Sequence, residues 1–452
     1  MFLPKSVLLC IHTLEQAGFE AYAVGGCVRD SLLGLTPHDY DLCTNAVPEE
    51  TAKLFANYTL VRSGEKHGTI GVVIDGEVFE ITTFRTEGGY RDSRHPDWVR
   101  FVCSIEEDLS RRDFTVNAMA YNPKTGYIDP FGGQADLQNK ILRTVGNPNA
   151  RFSEDALRIL RGVRFGVRFH LSPEKATLEA MRNLSPLMDK LAKERIFEEL
   201  CKLLPLLNAT DLCTYQDILT QVVPALASCV GFAQRNPHHL YDVYTHTAQV
   251  VEAAPPNLVL RWAALLHDCG KPDTFSLDEN GVGHFYGHAS ISAENADHLL
   301  LDLKAPNALR EQVVWLISHH MDRLTTDKRL LRKWLGKYGV DAVFNLLALQ
   351  EADFGGHTTE KDCYAFSEIR QLLDEILAEN ACLTTKDLAI DGRDLLAMGF
   401  PAGKTLGACL AYLLDQVQEE QVPNEKQALL DWAAHFLKAN SEKKKVEKTT
   451  QL

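Results

Sequence analysis

The stretch AYAVGGCVRDSLLGLTPHDYDLCT, residues 21–44, decides the fold of the first part of the chain. A short apolar run, Ala21–Val24, leads into Gly25-Gly26 and then into an amphipathic segment. This order predicts a strand, a tight turn and the start of a helix. Such a turn exposes backbone N–H groups that can hold a phosphate group.

The same stretch ends in two acidic residues, Asp39 and Asp41, with one residue between them. On an extended backbone this spacing points both carboxylates to one face, where they repel each other unless a cation lies between them. Carboxylates beside a phosphate site suit Mg²⁺, and two such ions about 4 Å apart can serve both oxygens of phosphoryl transfer. Glu80 follows a hairpin signal and is a candidate third carboxylate, although it could equally be a solvated strand residue.

The order GGxVRDxLLG and then DYD resembles the nucleotidyltransferase head of tRNA nucleotidyltransferases and of the related bacterial poly(A) polymerases. The resemblance implies that Gly26 and Arg29 hold the phosphates of a nucleotide. LSRRDFTVNAMAYN, residues 109–122, resembles the second motif of the family. It implies that Arg112 pairs with the triphosphate and that Asp113 accepts a hydrogen bond from a ribose hydroxyl.

RFSEDALRILRGVRF predicts a helix with Ser153 as its N-cap. Cytosine and adenine both present an amino donor next to a ring-nitrogen acceptor, so Asp155 accepting and Arg158 donating would satisfy either base. Uracil and guanine present the reverse order and would leave buried groups unpaired, at about 1 to 3 kcal/mol each. The residues match the EDxxRxxR motif of class II CCA-adding enzymes, in which the Asp and the first Arg select the base. The match assigns support of the triphosphate and of the pocket to two further arginines, Arg161 and Arg164.

Histidines dominate the middle of the chain, in the order H, HD, H, H and D. This pattern resembles the HD superfamily of metal-dependent phosphohydrolases, an all-helical fold. The resemblance implies a first divalent metal held by His246, His267, Asp268 and Asp353. A second metal would be held by His288 and His319. Imidazole and carboxylate ligands suit several divalent metals, and the sequence does not choose among them. The alternative is a helical spacer that keeps these residues without turnover.

Three further segments have predicted roles. Residues 86–96 are rich in glycine and charge and predict a mobile loop, which in the CCA-adding relatives takes part in switching from CTP to ATP. LAKERIFEEL, residues 191–200, predicts a bracing helix. Near the C-terminus a glycine pattern resembles the RNA-binding end of these enzymes, and the charged tail SEKKKVEKTTQL predicts disorder. The residues of that pattern are Gly392, Asp394, Gly399, Gly403 and Gly407.

The composition limits what the protein can be. The 452 residues allow two to four domains, and the 11 scattered cysteines without a CxxC pair predict reduced thiols in the cytoplasm. No apolar run approaches the roughly 18 residues of a membrane helix, so we expect no membrane partner. A net charge of −14 argues against a generally basic nucleic-acid binder, and any RNA site is therefore expected to be a local patch.

The predicted fold is α+β, with a small mixed-sheet head followed by an all-helical body of several modules. The predicted parts are a head (residues 1–149), a helical neck (150–223), an HD-type domain (224–374) and a C-terminal RNA-binding region with a flexible tail (375–452). The predicted activity is Mg²⁺-dependent addition of C, C and A to the 3′ end of tRNA from CTP and ATP, with release of pyrophosphate.

Three alternatives to this activity remain open. The first is a poly(A) polymerase, and the second is an enzyme that adds only CC or only A. The third belongs to another class and is an HD phosphohydrolase whose head only binds RNA. The sequence does not report the oligomeric state or how addition stops.

Overall fold

The computed structural model describes residues 1–88, 98–236, 240–355, 365–379 and 381–449. The chain forms two compact units. The first comprises Met1–Val230 with Asp297–Asn307, and the second comprises Gly231–Ala296 with Ala308–Leu452. Within the described ranges, no helix is long and apolar enough to cross a membrane.

The first unit is built around a mixed sheet, as predicted. Its strands, in chain order, are β1 (Ala21–Val24), β2 (Asp41–Thr44), β3 (Thr59–Val61), β4 (Thr69–Ile74), β5 (Glu77–Thr83), β6 (Arg85–Gly88), β7 (Trp98–Phe101), β8 (Ala120–Asn122), β9 (Gly126–Ile128), β10 (Ile141–Leu142) and β11 (Ser172–Pro173). Seven of them form one sheet in the order β3-β4-β5-β2-β1-β8-β9. Strands β2 and β5 run parallel, and the other neighbours run antiparallel.

Local sequence explains the strands that carry the acidic residues. Strand β1 is buried along its whole length, which fits its unbroken apolar run. Strand β5 alternates, with Phe79 and Ile81 buried and Glu80 exposed between them, as predicted. The turn before β5 has Asp75 and Gly76 at positive φ, 54° and 86°, which is the conformation a two-residue hairpin requires.

Helices surround this sheet and continue beyond it. They are α1 (Lys5–Gln16), α2 (Gly26–Leu32), α3 (Pro48–Leu54), α4 (Ile105–Ser110), α5 (Gly133–Gln138), α6 (Pro148–Glu154), α7 (Leu157–Phe169), α8 (Lys175–Leu184), α9 (Lys193–Leu203), α10 (Ala209–Thr214) and α11 (Gln216–Val222). Short 3₁₀ helices lie at Glu65–His67, Thr115–Asn117, Ser185–Lys190, Leu204–Leu206 and Pro224–Cys229.

The prediction that a helix begins at Ser153 is wrong. Helix α6 starts earlier, because the Asn147 side chain accepts a hydrogen bond from the Ala150 amide at 3.2 Å and Pro148 follows as a favoured first residue. The chain then breaks at Asp155, where φ is −145°. The Asp155 carboxylate accepts from the Leu157 amide at 3.1 Å, so it caps the start of α7.

The predicted mobile loop begins as a strand. Residues 86–88 belong to β6, which pairs antiparallel with β7. The remainder of the predicted loop lies outside the described residues.

The second unit is mainly helical, as predicted for the body. The elements from Val243 onward are α12 (Val243–Ala253), α13 (Leu258–Leu266), α14 (Lys271–Thr274), β12 (Ser276–Leu277), β13 (Gly283–His284), α15 (His288–Asp302), α16 (Asn307–His319), α17 (Lys328–Tyr338), α18 (Val340–Gly355), α19 (Phe366–Ala378), α20 (Gly392–Ala397), α21 (Lys404–Gln418) and α22 (Lys426–Thr449). Helix α22 includes most of the tail predicted to be disordered, since its lysines and glutamates are good helix formers.

Backbone conformation explains two of the C-terminal glycines. Gly399 and Gly403 have φ of 92° and 106°, and a Cβ at either would meet no atom within 4 Å. Close helix packing therefore does not account for them, and Gly403 is the N-cap residue of α21.

Candidate functional site

The predicted strand, turn and helix at the start of the head are confirmed. Strand β1 ends at Val24, Gly25 has φ of 73°, and α2 begins at Gly26. A Cβ on Gly25 would lie 2.8 Å from Nη1 of Arg112. The turn therefore requires glycine for its backbone and for the guanidinium that lies against it.

The sheet brings two of the predicted carboxylates close together, Asp41 at the start of β2 and Glu80 in β5. We call these two residues, with Asp39, the acidic edge. Asp41 is the first residue of β2. Strand β2 pairs in parallel with β5, and Leu42, which follows Asp41, lies beside Ile81. Leu42 and Ile81 are buried on one face, so Asp41 and Glu80 project from the other, where both are exposed. Strand β2 starts at Asp41, so Asp39 lies just before it and not within it.

These carboxylates influence one another electrostatically. The pKa of Asp41 is raised, first because the surrounding chain restricts its solvation and then because the Asp39 and Glu80 carboxylates lie nearby, while Arg112 opposes the shift. Within the described part of the chain, three or more ligand atoms lie within 4.8 Å of one another only in the second unit. The head carboxylates thus lie near one another without converging on a single point.

Asp113 is held by two neighbours. Its Oδ2 accepts from Nε and Nη2 of Arg161 at 2.9 and 2.8 Å, and its Oδ1 accepts from Nδ2 of Asn117 at 3.0 Å. Burial alone would raise the pKa of Asp113, but the charge of Arg161 and these hydrogen bonds outweigh it and hold the pKa at about 2. Both oxygens are therefore occupied in this structure, and Arg161 pairs with Asp113.

Arg29 is buried beneath the turn. It donates to Asp30 through Nε and Nη2 at 2.8 and 2.7 Å and to Oδ1 of Asn117 through Nη1. Its guanidinium also lies 4.2 Å from the ring centre of Phe169 in α7. The group predicted to hold phosphate thus joins α2 to α7 and to the second motif, with Nε, Nη1 and Nη2 each donating a hydrogen bond.

The two residues of the predicted base-selecting pair, Asp155 and Arg158, each bond to a different residue. Asp155 accepts from Nη2 of Arg195 at 2.8 Å, and Arg158 donates to Glu154 at 2.6 Å. Arg195 lies in the predicted bracing helix α9, and no motif in the sequence marks it as a partner of Asp155. That helix packs against α7, and Glu199 pairs there with Arg164. The prediction of a bracing helix is confirmed, and Arg164 has a structural partner.

The second unit gathers histidines and aspartates from several helices into two sets that share one carboxylate. The first set is His246, His267 and Asp268, and the second is Asp268, His288 and His320. Oδ2 of Asp268 lies 3.5 Å from Nε2 of His246 and 3.3 Å from Nε2 of His267. Its Oδ1 lies 3.3 Å from Nε2 of His288. The two oxygens of Asp268 thus face different sets.

Asp353 of α18 joins the first set. Its Oδ1 lies 3.0 Å from Nε2 of His246 and 3.6 Å from Nε2 of His267. The four residues that the HD resemblance assigns to one metal therefore meet.

The imidazoles are oriented as in metal centres. Nδ1 of His267, His288 and His320 lies 2.8, 2.8 and 2.6 Å from a backbone carbonyl oxygen. Each Nδ1 can therefore donate to its carbonyl, which leaves Nε2 as the ring nitrogen that faces the set. Nε2 of His267 is buried and has no hydrogen-bond partner. This donor set fits a divalent metal ion.

The prediction of His319 as a ligand is wrong, and His320 occupies that place. Nε2 of His320 lies 3.2 Å from Nε2 of His288. The ring of His319 instead stacks on Trp315, with ring centres 4.5 Å apart, and lies edge-on to Tyr338. Adjacent residues at a helix end point in different directions, so only one of the two histidines can face the set.

The charges of the histidine and aspartate side chains compensate one another. Burial would lower the pKa of His267, but Asp268 and Asp353 raise it to about 10. Burial, with the charge of His267, lowers the pKa of His320 to about 4. Nζ of Lys271 lies 2.7 Å from Oδ2 of Asp268. Positive charge is thus favoured beside the two carboxylates.

Three family models match the chain. Residues 21–143 match the Poly A polymerase head domain, and residues 170–212 match the probable RNA and SrmB-binding site of polymerase A. Residues 276–433 match the putative tRNA nucleotidyltransferase domain 2.

Whole-chain comparisons agree with these matches. The CCA-adding enzyme of Ligilactobacillus salivarius is 50% identical over 96% of each chain, and that of Streptococcus mutans is 35% identical over 95% of this chain and 96% of its own. The crystal structure of the Bacillus stearothermophilus CCA-adding enzyme in complex with CTP has a TM-score of 0.72 and 28% identity, covering 98% of this chain and all of that one. The Thermotoga maritima CCA-adding enzyme complexed with tRNA shares the fold, with a TM-score of 0.60 and 20% identity over 96% of each chain.

The sheet, its acidic edge and the head-domain match define the class as nucleotidyltransferases with a poly(A) polymerase-type head. Relatives that are at least 35% identical span nearly the whole chain. The chain belongs to the family of CCA-adding enzymes.

Proposed function

We propose that this protein adds C, C and A to the 3′ end of tRNA, using CTP and ATP and releasing pyrophosphate, without a nucleic-acid template. The observation that carries the proposal is the acidic edge of β2 and β5 beside the Gly25 turn, in a chain that a relative named CCA-adding enzyme matches over 96% of its length. The four parts predicted from the sequence, with boundaries after residues 149, 223 and 374, remain our proposal for its domains.

Asp39, Asp41 and Glu80 would hold the catalytic metal, for which we propose two Mg²⁺ ions. The raised pKa of Asp41 beside two other carboxylates fits a site that a hard cation would stabilise. When bound, such ions lower the pKa of an attacking hydroxyl and neutralise departing pyrophosphate. The protein's part would be to keep Asp41 and Glu80 on one face of the sheet, with Asp39 near them just before β2.

The nucleotide would be held by the turn and by the second motif. Backbone groups at Gly26 and the guanidinium of Arg112 would meet its phosphates. We assign Arg29 to holding the turn through Asn117, since its donors are already engaged. Asp113 would receive a ribose hydroxyl in exchange for part of its bonding to Arg161, which donates twice to Oδ2 in this structure.

Asp155 and Arg158 would select the base, and this requires an exchange of partners. In this structure Arg195 and Glu154 hold their polar atoms. An amino group and a ring nitrogen of cytosine or adenine would replace part of these bonds. Arg161 and Arg164 would support the pocket through Asp113 and Glu199.

An extension assay tests the proposal. Transfer RNA that ends before, within or after its CCA sequence is incubated with each nucleotide singly and with CTP and ATP together. We expect CMP addition to the first two CCA positions and AMP addition only to the third. Extension with repeated AMP would indicate a poly(A) polymerase, and activity on only one ending would indicate a partial CCA enzyme.

We further propose that the second unit is a metal-dependent phosphohydrolase. The observation that favours it is the sharing of Asp268 between the two ligand sets, His246 and His267 with Asp353 on one side and His288 and His320 on the other. Divalent metal bound there would activate a water molecule toward a phosphoester. Hydrolysis of bis(p-nitrophenyl) phosphate with added Mn²⁺, abolished by His267→Ala, is the expected result. Equal hydrolysis by that variant would contradict it.

A further inference from the structure

A buried carboxylate beside the head site has no role in the scheme above. Asp108 in α4 is 0% exposed. Its Oδ1 lies 2.9 Å from Nη2 of Arg111 and accepts from the backbone N–H of Arg85 at 3.2 Å. Its Oδ2 accepts from Nη2 of Arg112 at 3.4 Å. One carboxylate thus joins two adjacent arginines to the first residue of β6.

The other end of the Arg112 guanidinium faces the turn. Nη1 lies 2.8 Å from the position a Cβ would take on Gly25, and Nε is buried without a hydrogen bond. Burial alone would lower the pKa of Arg112, but the carboxylates of Asp108 and Asp41 raise it. The guanidinium is therefore a permanent positive charge, held between Asp108 and the edge where phosphates would bind.

We infer that Asp108 is a positioning residue for the phosphates of the incoming nucleotide. It fixes the guanidinium of Arg112 against the Gly25 turn and holds Arg111 beside it. This inference rests on the proposed nucleotide-binding role of the head. Asp108 does not touch the nucleotide and acts through the two arginines.

Two roles for Asp108, one through its charge and one through the orientation of the arginines, predict opposite effects on phosphate binding when its carboxylate is removed. Asp108 offsets one of the two adjacent positive charges, so by charge alone Asp108→Asn would strengthen the binding of an anion. If Asp108 orients the arginines, the same variant weakens binding, because the unanchored side chain must be ordered when phosphate binds. The sign of the change separates the two accounts.

The experiment is calorimetric titration of the full-length protein with CTP, ATP and pyrophosphate in the presence of Mg²⁺. We expect Asp108→Asn to raise the Kd of all three by roughly tenfold, since charge-assisted hydrogen bonds to phosphate are weakened. Pyrophosphate has no base or ribose, so a parallel loss assigns the effect to phosphate binding. Asp108→Glu keeps the charge but moves the carboxylate, and we expect it also to raise the Kd.

Glu174→Gln is the matched control. Glu174 is likewise ion-paired to an arginine in the same unit, to Arg143 at 2.8 Å, but it lies at the start of α8, outside the turn and the second motif. It should leave the three Kd values unchanged. An unchanged or lower Kd in folded Asp108→Asn would overturn the inference, and should that variant not fold, an unchanged Kd in Asp108→Glu would do so. Failure of the wild-type protein to add CMP would instead contradict the proposed function. The Kd values of the Asp108 variants would still test whether Asp108 positions the arginines.

Discussion

Two aspartates of the head have pKa values shifted in opposite directions because their surroundings differ. Asp113 has Arg161 and Asn117 as donors, whereas Asp41 has other carboxylates beside it. The first is therefore stabilised as an anion by the protein itself. The second is the kind of group that a bound cation would stabilise.

Asp113 should make the stability of the first unit depend on acid pH. Its pKa is about 2 in the folded protein and about 3.9 in an unfolded chain, so its ionised form contributes about 2 kcal/mol above pH 4. Because the folded pKa is the lower one, this contribution is lost as the pH falls from about 4 toward 2. Urea unfolding should show Asp113→Asn less stable than wild type at pH 6, with the difference shrinking below pH 4. A difference that is constant with pH would contradict this.

The neighbouring residues His319 and His320, at the end of α16, should differ in their effect on Mn²⁺ affinity when each is mutated. His320→Ala should weaken Mn²⁺ binding by about tenfold or more, because a ligand imidazole facing Asp268 and His288 is lost. His319→Ala is the matched control, since its ring stacks on Trp315, and it should leave Mn²⁺ affinity unchanged. Metal titration of the full-length variants measures both. Equal losses in the two variants would show that His320 has no special place in the centre.

At the scale of elements, turns and strands that depend on neighbouring residues could be predicted from the sequence, whereas contacts between distant residues could not. The turn at Asp75-Gly76 and the strand that leads into α2 follow from neighbouring residues alone. The helix break at Asp155 was missed because Asn147 and Pro148 begin a helix earlier than the cap at Ser153 that was predicted. The choice of His320 over His319 depends on residues far away in the chain.

The buried ion pair between α7 and α9 should contribute to the stability of the first unit. Arg164 and Glu199 have side chains 10% and 4% exposed. Glu199→Gln should cost about 3 kcal/mol, since it leaves a buried guanidinium without its counter-charge. Lys175→Ala breaks an exposed pair with Glu179 in the same unit and should have no measurable effect. Chemical unfolding of both variants compares them, and equal stabilities would contradict the bracing role.

At the scale of the whole molecule, the chain carries two separate constellations. The acidic edge lies in the first unit, and the histidine centre lies in the second. Family resemblance predicted both from sequence motifs. The pairing of Arg195 with Asp155 became visible only in the folded chain, because the two residues are 40 positions apart. Asp108 and Arg112 are a local pair at i and i+4, and the fold adds the bond from the Arg85 amide to the same carboxylate.

The two constellations should be separable by mutation. Asp41→Asn should reduce nucleotide addition by at least about 100-fold through loss of metal-assisted charge stabilisation, without changing hydrolysis of bis(p-nitrophenyl) phosphate. His267→Ala should abolish hydrolysis of bis(p-nitrophenyl) phosphate without changing nucleotide addition. Both activities are measured on the same preparations of full-length protein, and a variant that loses both would argue for a shared site.

The most direct test of the central account is single-turnover extension of tRNA ending in CC, with each of the four nucleotides offered alone. The account predicts that wild-type protein incorporates one AMP and that Asp41→Asn incorporates none at the same time points. It also predicts that wild-type protein rejects UTP and GTP. Incorporation by Asp41→Asn at the wild-type rate, or equal use of all four nucleotides, would contradict an acidic metal edge paired with base selection by side chains.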